Sequence, residues 1–521
     1  MVHSDTNISC GSGRKDIYLP FSDEKPKHTN LSAPIGFLRT TETAVQSLLR
    51  VALLVASVST LWYILRLQRE SPPSRDDTTS DSLDFFHNVT QPRGICVSPT
   101  GHDVSYAGFI GLNGDTDVTP KRSFFWFFEA EQNSQNAPTI LAIGGGPGTS
   151  GLMTGIFGQW PCTMSSNGTI PNPHRWTEHY NLLALDHPVN AGFSYGTHVN
   201  NSQDAAADVY DFLQKFYRLY PHLSHNPFVI AAGSYGGVYV PNIAAVIHAQ
   251  NKAIERGEGL PEARKIPLSA LTLSNPFSDP LSHYRWLLYF RCELHQLYNE
   301  TTCKEMYSIL PSALDSVELA YQKPTLENRK AALLETTKLV SGDLHGHLVE
   351  DIRVICIPPP GDATACHPEF AWVDQFFARD STRRGLGIPH GVNYTSFNAE
   401  VYHEFMRNAD IIRPHARLYE PLLRDGIRIL HYIGAQDASC AWPGVLSTLK
   451  LIDSPFQRDF IQGQDVPWPT SGVATVRAVG PGAGNFTYIL VQDAGHFVIN
   501  NQRALAKEII HRFIDNLPWF E

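Results

Sequence analysis

Ser234 lies in the stretch Phe228-Val-Ile-Ala-Ala-Gly-Ser-Tyr-Gly-Gly-Val-Tyr-Val240. It reads as a short buried strand, a tight turn and the first turn of a helix. A serine on such a turn projects its hydroxyl above the strand, and the next backbone N–H faces the place where an oxyanion would form. Taken alone, the string also describes a glycine-rich helix start with no chemistry, so its partners decide. A nucleophilic serine needs a histidine to take its proton and a carboxylate to hold that histidine in the right tautomer. Asp437 follows Ile429-Leu-His-Tyr-Ile-Gly-Ala-Gln436, and His496 follows Ile489-Leu-Val-Gln-Asp-Ala-Gly495. Each therefore stands in a turn beyond an apolar run. The rival acids are Asp186, which comes too early in the chain, and Asp493, only three residues before His496.

A second N–H for the oxyanion is expected from Ile143-Gly-Gly-Gly-Pro-Gly148, with Gly146 as donor beside the Tyr235 N–H. A phosphate-cradling loop is the alternative use of such glycines, but no Lys-Ser/Thr follows. The expected chemistry is acyl transfer through an acyl-serine.

These residues need a scaffold that ends several strands in one place. Thr139–Ile143, Leu182–Leu185, Phe228–Ala232, Leu268–Leu273, Ile427–Ile433 and Thr487–Val491 are short, nearly continuous apolar runs, the pattern of a parallel sheet covered on both faces. Helical stripes lie between them, such as Val209, Phe212, Leu213, Phe216 and Leu219, and near the end Ile509, Ile510, Phe513 and Leu517. The fold class is α/β, doubly wound and mostly parallel. Ligand sites in such sheets lie at the C-terminal strand ends, where the candidate residues fall. From about 281 to 425 the alternation gives way to helical and irregular sequence, read as an insertion capping the site. Cys292/Cys303 and Cys356/Cys366 in this region invite local pairing, although connectivity cannot be read from sequence.

The chain has 521 residues and a net charge of −10, with no basic run to neutralise a row of phosphates, so no nucleic-acid partner is expected. No His-x-x-x-His or Cys-x-x-Cys spacing marks a metal site, and no metal or cofactor is expected. Residues 1–43 are polar and read as a disordered tail. Residues 44–65 read as a transmembrane anchor, with an uncharged run from Val51 to Leu65 and Arg50 able to reach the headgroups. Residues 66–90 read as a linker and 91–521 as the catalytic domain. Arg66, Arg69 and Arg75 against Arg39 and Arg50 favour a cytosolic body by the positive-inside rule. Against this stand sequons at Asn88, Asn167, Asn200, Asn299, Asn393 and Asn485 and every cysteine but Cys10, all beyond the apolar run. These favour a lumenal or extracellular body.

From Cys96 onward the sequence resembles the serine carboxypeptidases, specifically the fungal secreted members. The resemblance rests on Ser105-Tyr-Ala-Gly108, Phe124-Phe-Trp-Phe-Phe-Glu129, Gly144-Gly-Gly-Pro-Gly148, Asn172-Pro-His-Arg-Trp176, Asp186-His-Pro-Val189 with Gly192-Phe-Ser-Tyr195, Ser234-Tyr-Gly-Gly237, Asp437 with Cys440-Ala-Trp442, and Ala494-Gly-His496. It implies an α/β-hydrolase fold, Ser234 as nucleophile, His496 as base and then acid, Asp437 as orienting carboxylate, and Gly146 and Tyr235 as oxyanion donors. The family also grips a peptide's terminal carboxylate with a glutamate before the nucleophile, an asparagine opening the glycine loop and a second glutamate downstream. This chain has Gly233, Gly144 and, on an ungapped alignment, Gly158 there, with Gly145 beside them as substrate-facing backbone. The expectation is an acyl hydrolase of peptide or small acyl substrates that has lost this clamp. An acyltransferase to an alcohol or amine is the alternative, and a non-catalytic binding protein is a third reading.

Overall fold

The computed structural model describes residues 83–277, 279–357, 365–469 and 472–520. The expected tail and the 44–65 anchor lie outside these residues. Among the described residues, no helix is long and apolar enough to cross a membrane.

One sheet organises the domain. Its main strands are β1 (His87–Thr90), β2 (Ser105–Gly111), β3 (Lys121–Phe128), β4 (Thr139–Ile143), β5 (Asn181–Leu185), β6 (Phe228–Ser234), β7 (Leu268–Pro276), β8 (Arg428–Gly434), β9 (Val466–Trp468), β10 (Ala474–Val479) and β11 (Phe486–Val491), and the two-residue strand Tyr195–Gly196 pairs with the start of β3. They lie in the order β1-β2-β3-β5-β4-β6-β7-β8-β11-β10-β9. From β5 to β11 every pairing is parallel, and these six strands are the six apolar runs of the sequence. The flanking ladders β1-β2-β3-β5 and β11-β10-β9 are antiparallel. The sequence pattern of parallel apolar runs does not include them: β1 and β9 are short, and β2 and β3 join the sheet as an antiparallel margin ahead of its first parallel strand. The sheet also begins earlier than expected. His87–Thr90, at the end of the stretch read as a linker, pairs with Thr90 opposite Ala107 through His87 opposite Ile110.

Phe124–Phe128 illustrates how the two faces are covered. Successive side chains of a strand point to opposite sides. Phe125 and Phe127 accordingly join Phe212, Phe216 and Val238 in one core, whereas Phe124, Trp126 and Phe128 join Trp160, Phe377 and Ile509 in the other. Each such ring contributes roughly 1.5–3 kcal/mol of burial. The first face is covered by α1 (Ser202–Leu219) and α2 (Gly236–Glu255). Asn201 starts α1 by accepting from the Gln203 and Asp204 N–H groups. The second face is covered by the helices Pro368–Ala378 and Arg503–Ile514.

Between β7 and β8 the chain runs through Pro280–Leu288, Glu300–Gln322, Leu326–Lys338 and further short helices. This is the helical excursion expected at 281–425, but not all of it stands above the site. Val373, Phe376 and Phe377 are part of the core beneath the sheet, and Phe405 and Tyr419 pack against α2. The disulfides are Cys96–Cys162, Cys292–Cys303 and Cys356–Cys366, and Cys440 is a buried free thiol.

Candidate active site

Ser234 is the last residue of β6, and α2 begins two residues later. Its φ is +57°, left-handed for a residue with a side chain, and this turns the hydroxyl away from the strand. The fold holds that strain by bringing backbone very close behind the serine. A Cβ on Gly237 would fall 1.7 Å from the Phe277 carbonyl oxygen, so only glycine fits there.

The glycine loop after β4 lies against this elbow. A Cβ on Gly145 would come within 2.8 Å of Ser234 Cβ and 3.1 Å of Tyr235 N. Among the described residues, neither the Gly146 nor the Tyr235 N–H is spent on a protein acceptor. Both are thus available to an oxyanion. Ser150 anchors the far end of the loop, capping the helix Gly151–Ile156 and donating its hydroxyl to Asp186. That is where the rival acid Asp186 belongs. It also accepts from Phe193 N at 2.8 Å, and burial pushes its carboxyl up to about 7. The second rival, Asp493, is an exposed loop residue.

Asp437 lies beyond β8 and His496 beyond β11, neighbouring parallel strands whose ends reach the same edge. Asp437 Oδ2 accepts from His496 Nδ1 at 2.7 Å, across 59 residues of sequence. The carboxylate is fully buried, and its Oδ1 accepts from Ser439 N at 2.7 Å and Cys440 N at 3.2 Å. The imidazole is buried too. Burial opposes its charging, but the charge of Asp437 and the hydrogen bond to it outweigh that, with Glu350 adding, and lift its pKa above the usual histidine value. With Nδ1 turned to Asp437, Nε2 is the nitrogen left to take a proton. Among the described residues it has no hydrogen bond to Ser234, which is common before a substrate closes such a relay.

One group of potential metal ligands comes together among the described residues, namely Asp437, Cys440 and His496, with ligand atoms within 4.8 Å of one another. Two of them already bond each other. Burial, and then the charge of Asp437, hold the Cys440 thiol protonated, which makes it a weak ligand.

Gly144, Gly158 and Gly233, the three positions at which a lost clamp was expected, are each crowded by backbone. A Cβ on Gly144 would fall 2.1 Å from the Thr149 carbonyl oxygen, one on Gly158 2.6 Å from that of Ile499, and one on Gly233 2.9 Å from that of Ser274. Backbone carbonyls stand where side chains would emerge. Of the sequon asparagines, Asn88, Asn167, Asn200, Asn299 and Asn393 are exposed and Asn485 is half-buried.

Sequence reasoning did not find Asn275, whose amide reaches Asp437, or Asp410, which accepts from the Tyr235 hydroxyl. It also missed Glu350, whose carbonyl accepts from His496 N at 2.6 Å, and His367, which lies between Glu350 at 3.7 Å and Glu369 at 3.5 Å. Only Asn275 left a trace, as a polar residue closing the strand next to the elbow strand.

The family model described as serine carboxypeptidase matches residues 98–516. Among curated relatives, the chain is 26% identical over 422 residues to carboxypeptidase Y homolog A of Leptosphaeria maculans, covering 80% of this chain and 74% of that one. It is 28% identical over 419 residues to carboxypeptidase Y of Komagataella phaffii, covering 78% and 75%. Among solved structures, Kex1Δp, a prohormone-processing carboxypeptidase from Saccharomyces cerevisiae, superposes with a TM-score of 0.68 at 20% identity, covering 82% of this chain and 94% of that one. The fold is therefore that of an α/β hydrolase.

Proposed function

The chain belongs to the serine carboxypeptidase family and is a hydrolase of that type, and we propose that it works through an acyl-enzyme on Ser234 with acyl substrates that lack a free terminal carboxylate. The observation that carries the mechanism is the Asp437–His496 hydrogen bond at the strand ends beside a left-handed serine. As Ser234 Oγ attacks the acyl carbon, its proton passes to His496 Nε2. Asp437 holds the Nδ1–H tautomer and stabilises the imidazolium. The Gly146 and Tyr235 N–H groups take the oxyanion. His496 then gives its proton to the departing alcohol or amine, and water repeats the sequence to free the acid.

The substrate reading rests on Gly144, Gly158 and Gly233. A carboxylate is costly to bury without donors, and three glycines supply no side chain to receive it. Esters and amides place no charge there. The test compares a blocked dipeptide with its methyl ester, alongside Ser234 labelling by a fluorophosphonate. Ester preference with labelling that Ser234→Ala abolishes is the expected result. Clear preference for the free acid would sink the substrate reading, and unlabelled wild-type protein would sink the mechanism.

The three disulfides and the exposed sequons support a glycosylated body in an oxidising compartment, held at the membrane by residues 44–65. A glycosidase shift of the native protein on a gel is expected. Its absence, together with protease access from the cytosolic side, would reverse this topology.

A further inference from the structure

Asn275 is fully buried at the end of β7, with φ +42°, where the register against β6 shifts between Ser274 and Pro276. Its Oδ1 accepts from Gly434 N at 3.0 Å, and its Nδ2 donates to Asp437 Oδ2 at 2.7 Å. The orientation of this amide is not arbitrary. A backbone N–H can only donate, so the oxygen must face Gly434 and the NH₂ must face Asp437. The oxygen it meets on Asp437 is the one that accepts from His496.

The other donors to Asp437 have different tasks. Ser439 N and Cys440 N come from its own loop and move with it, and His496 is the group to be oriented. Asn275 alone of these partners lies within a neighbouring strand and not in a loop beyond one, and it grips both the last residue of β8 and the carboxylate that follows. It therefore fixes the carboxylate relative to the sheet that also carries Ser234. A neutral donor has a second effect, because it draws charge from Oδ2 without supplying a proton. The pull of Asp437 on the imidazole is thereby moderated. An aspartate at this place would set two carboxylates face to face, of which one would have to hold a proton.

We infer that Asn275 is a positioning residue, which acts through Asp437 to set the orientation and basicity of His496. This rests on the triad assigned to Ser234, Asp437 and His496, and the test separates the two. Asn275→Gly keeps a residue at ease with positive φ and removes only the amide. Asn275→Asp keeps the shape and replaces the donor by an acid. In each variant thermal unfolding reports folding, the fluorophosphonate reports the reactivity of Ser234 across pH, and the downfield NMR signal of the imidazole N–H reports the titration of His496.

Asn275→Gly should slow phosphonylation about ten- to a hundredfold, the usual scale for losing the partner that orients a catalytic group, and should move the His496 titration upward. Asn275→Asp should lose reactivity at high pH, where the proton shared with Asp437 is gone and the wild type still reacts, and on the acid side it should fall with protonation of His496 as the wild type does. Phosphonylation rates and a His496 titration in folded Asn275→Gly equal to those of the wild type would overturn the inference. If Asn275→Asp fails to fold, Asn275→Gly decides. If the wild type does not react at all, the triad reading has failed, and the NMR titration still decides whether Asn275 governs His496.

Discussion

The Tyr235 hydroxyl donates to Asp410 Oδ2 at 3.0 Å, so the residue that follows Ser234 in the elbow is tied by its side chain to a carboxylate 175 residues further along the chain. Asp410 is fully buried and also accepts from Ser202 at the start of α1. The helical excursion between β7 and β8 thus takes part in holding the elbow still.

Tyr235→Phe keeps the N–H and cuts this tie. The carboxylate loses a donor while it stays buried, and its Oδ1 already has no hydrogen-bond partner among the described residues. A loss of about 1–3 kcal/mol in urea unfolding is expected. The phosphonylation rate should fall far less than in Ser234→Ala. Unchanged stability would mean that Asp410 draws its support elsewhere.

The rate should follow the free base of His496. Its pKa lies above 6.5, because the charge of Asp437 and the hydrogen bond to it outweigh burial. Activity is therefore lost as pH falls through that raised value and gained above it. A rising limb centred above about 6.5 is expected. In Asp437→Asn the rate should drop by roughly 10⁴, since the histidine then holds the wrong tautomer. A strongly acidic optimum would contradict the assignment of His496 as base.

His367 should make stability depend on pH. Pairing with Glu350 and Glu369 prevails over its burial and raises it to about 9. A histidine whose folded pKa is raised stabilises the fold fully below its unfolded pKa and loses that contribution as pH rises through the folded one. His367→Gln should therefore cost on the order of 1–3 kcal/mol at pH 6 and little at pH 10. A difference that does not vary with pH would show that the ring contacts with Phe370 and Phe497, rather than charge, are what His367 supplies.

Restoring the family's clamp should be costly. Gly144→Asn, Gly158→Glu and Gly233→Glu each drive a Cβ against a carbonyl oxygen closer than 3.0 Å, most severely at Gly144. Backbone rather than a flexible side chain must give way, and roughly 1–3 kcal/mol per substitution is expected. Thermal unfolding of the triple variant reads this directly. A triple variant as stable as the wild type and active on free-acid peptides would mean that the loops relax easily.

The sequence by itself determined the parallel sheet and the polar residues that stand at its strand ends. Six apolar runs gave the six parallel strands, because strands covered on both faces need near-continuous apolar residues. The glycines around Ser234 marked the elbow, because close backbone approach and positive φ limit which residues fit. Asp437 and His496 were legible as polar residues just past such runs. The antiparallel margins were not, since β1 and β9 are held by pairing with a neighbour and not by a pattern of their own. The tertiary structure alone decided which polar groups meet. Asn275 touches Asp437 across 162 residues, and Tyr235 touches Asp410 across 175. It also decided that a Cβ on Gly144, Gly158 or Gly233 would meet a backbone carbonyl oxygen. A hydrogen bond between distant residues depends on distance and direction, which the fold creates by stacking strand ends and which no spacing along the chain encodes.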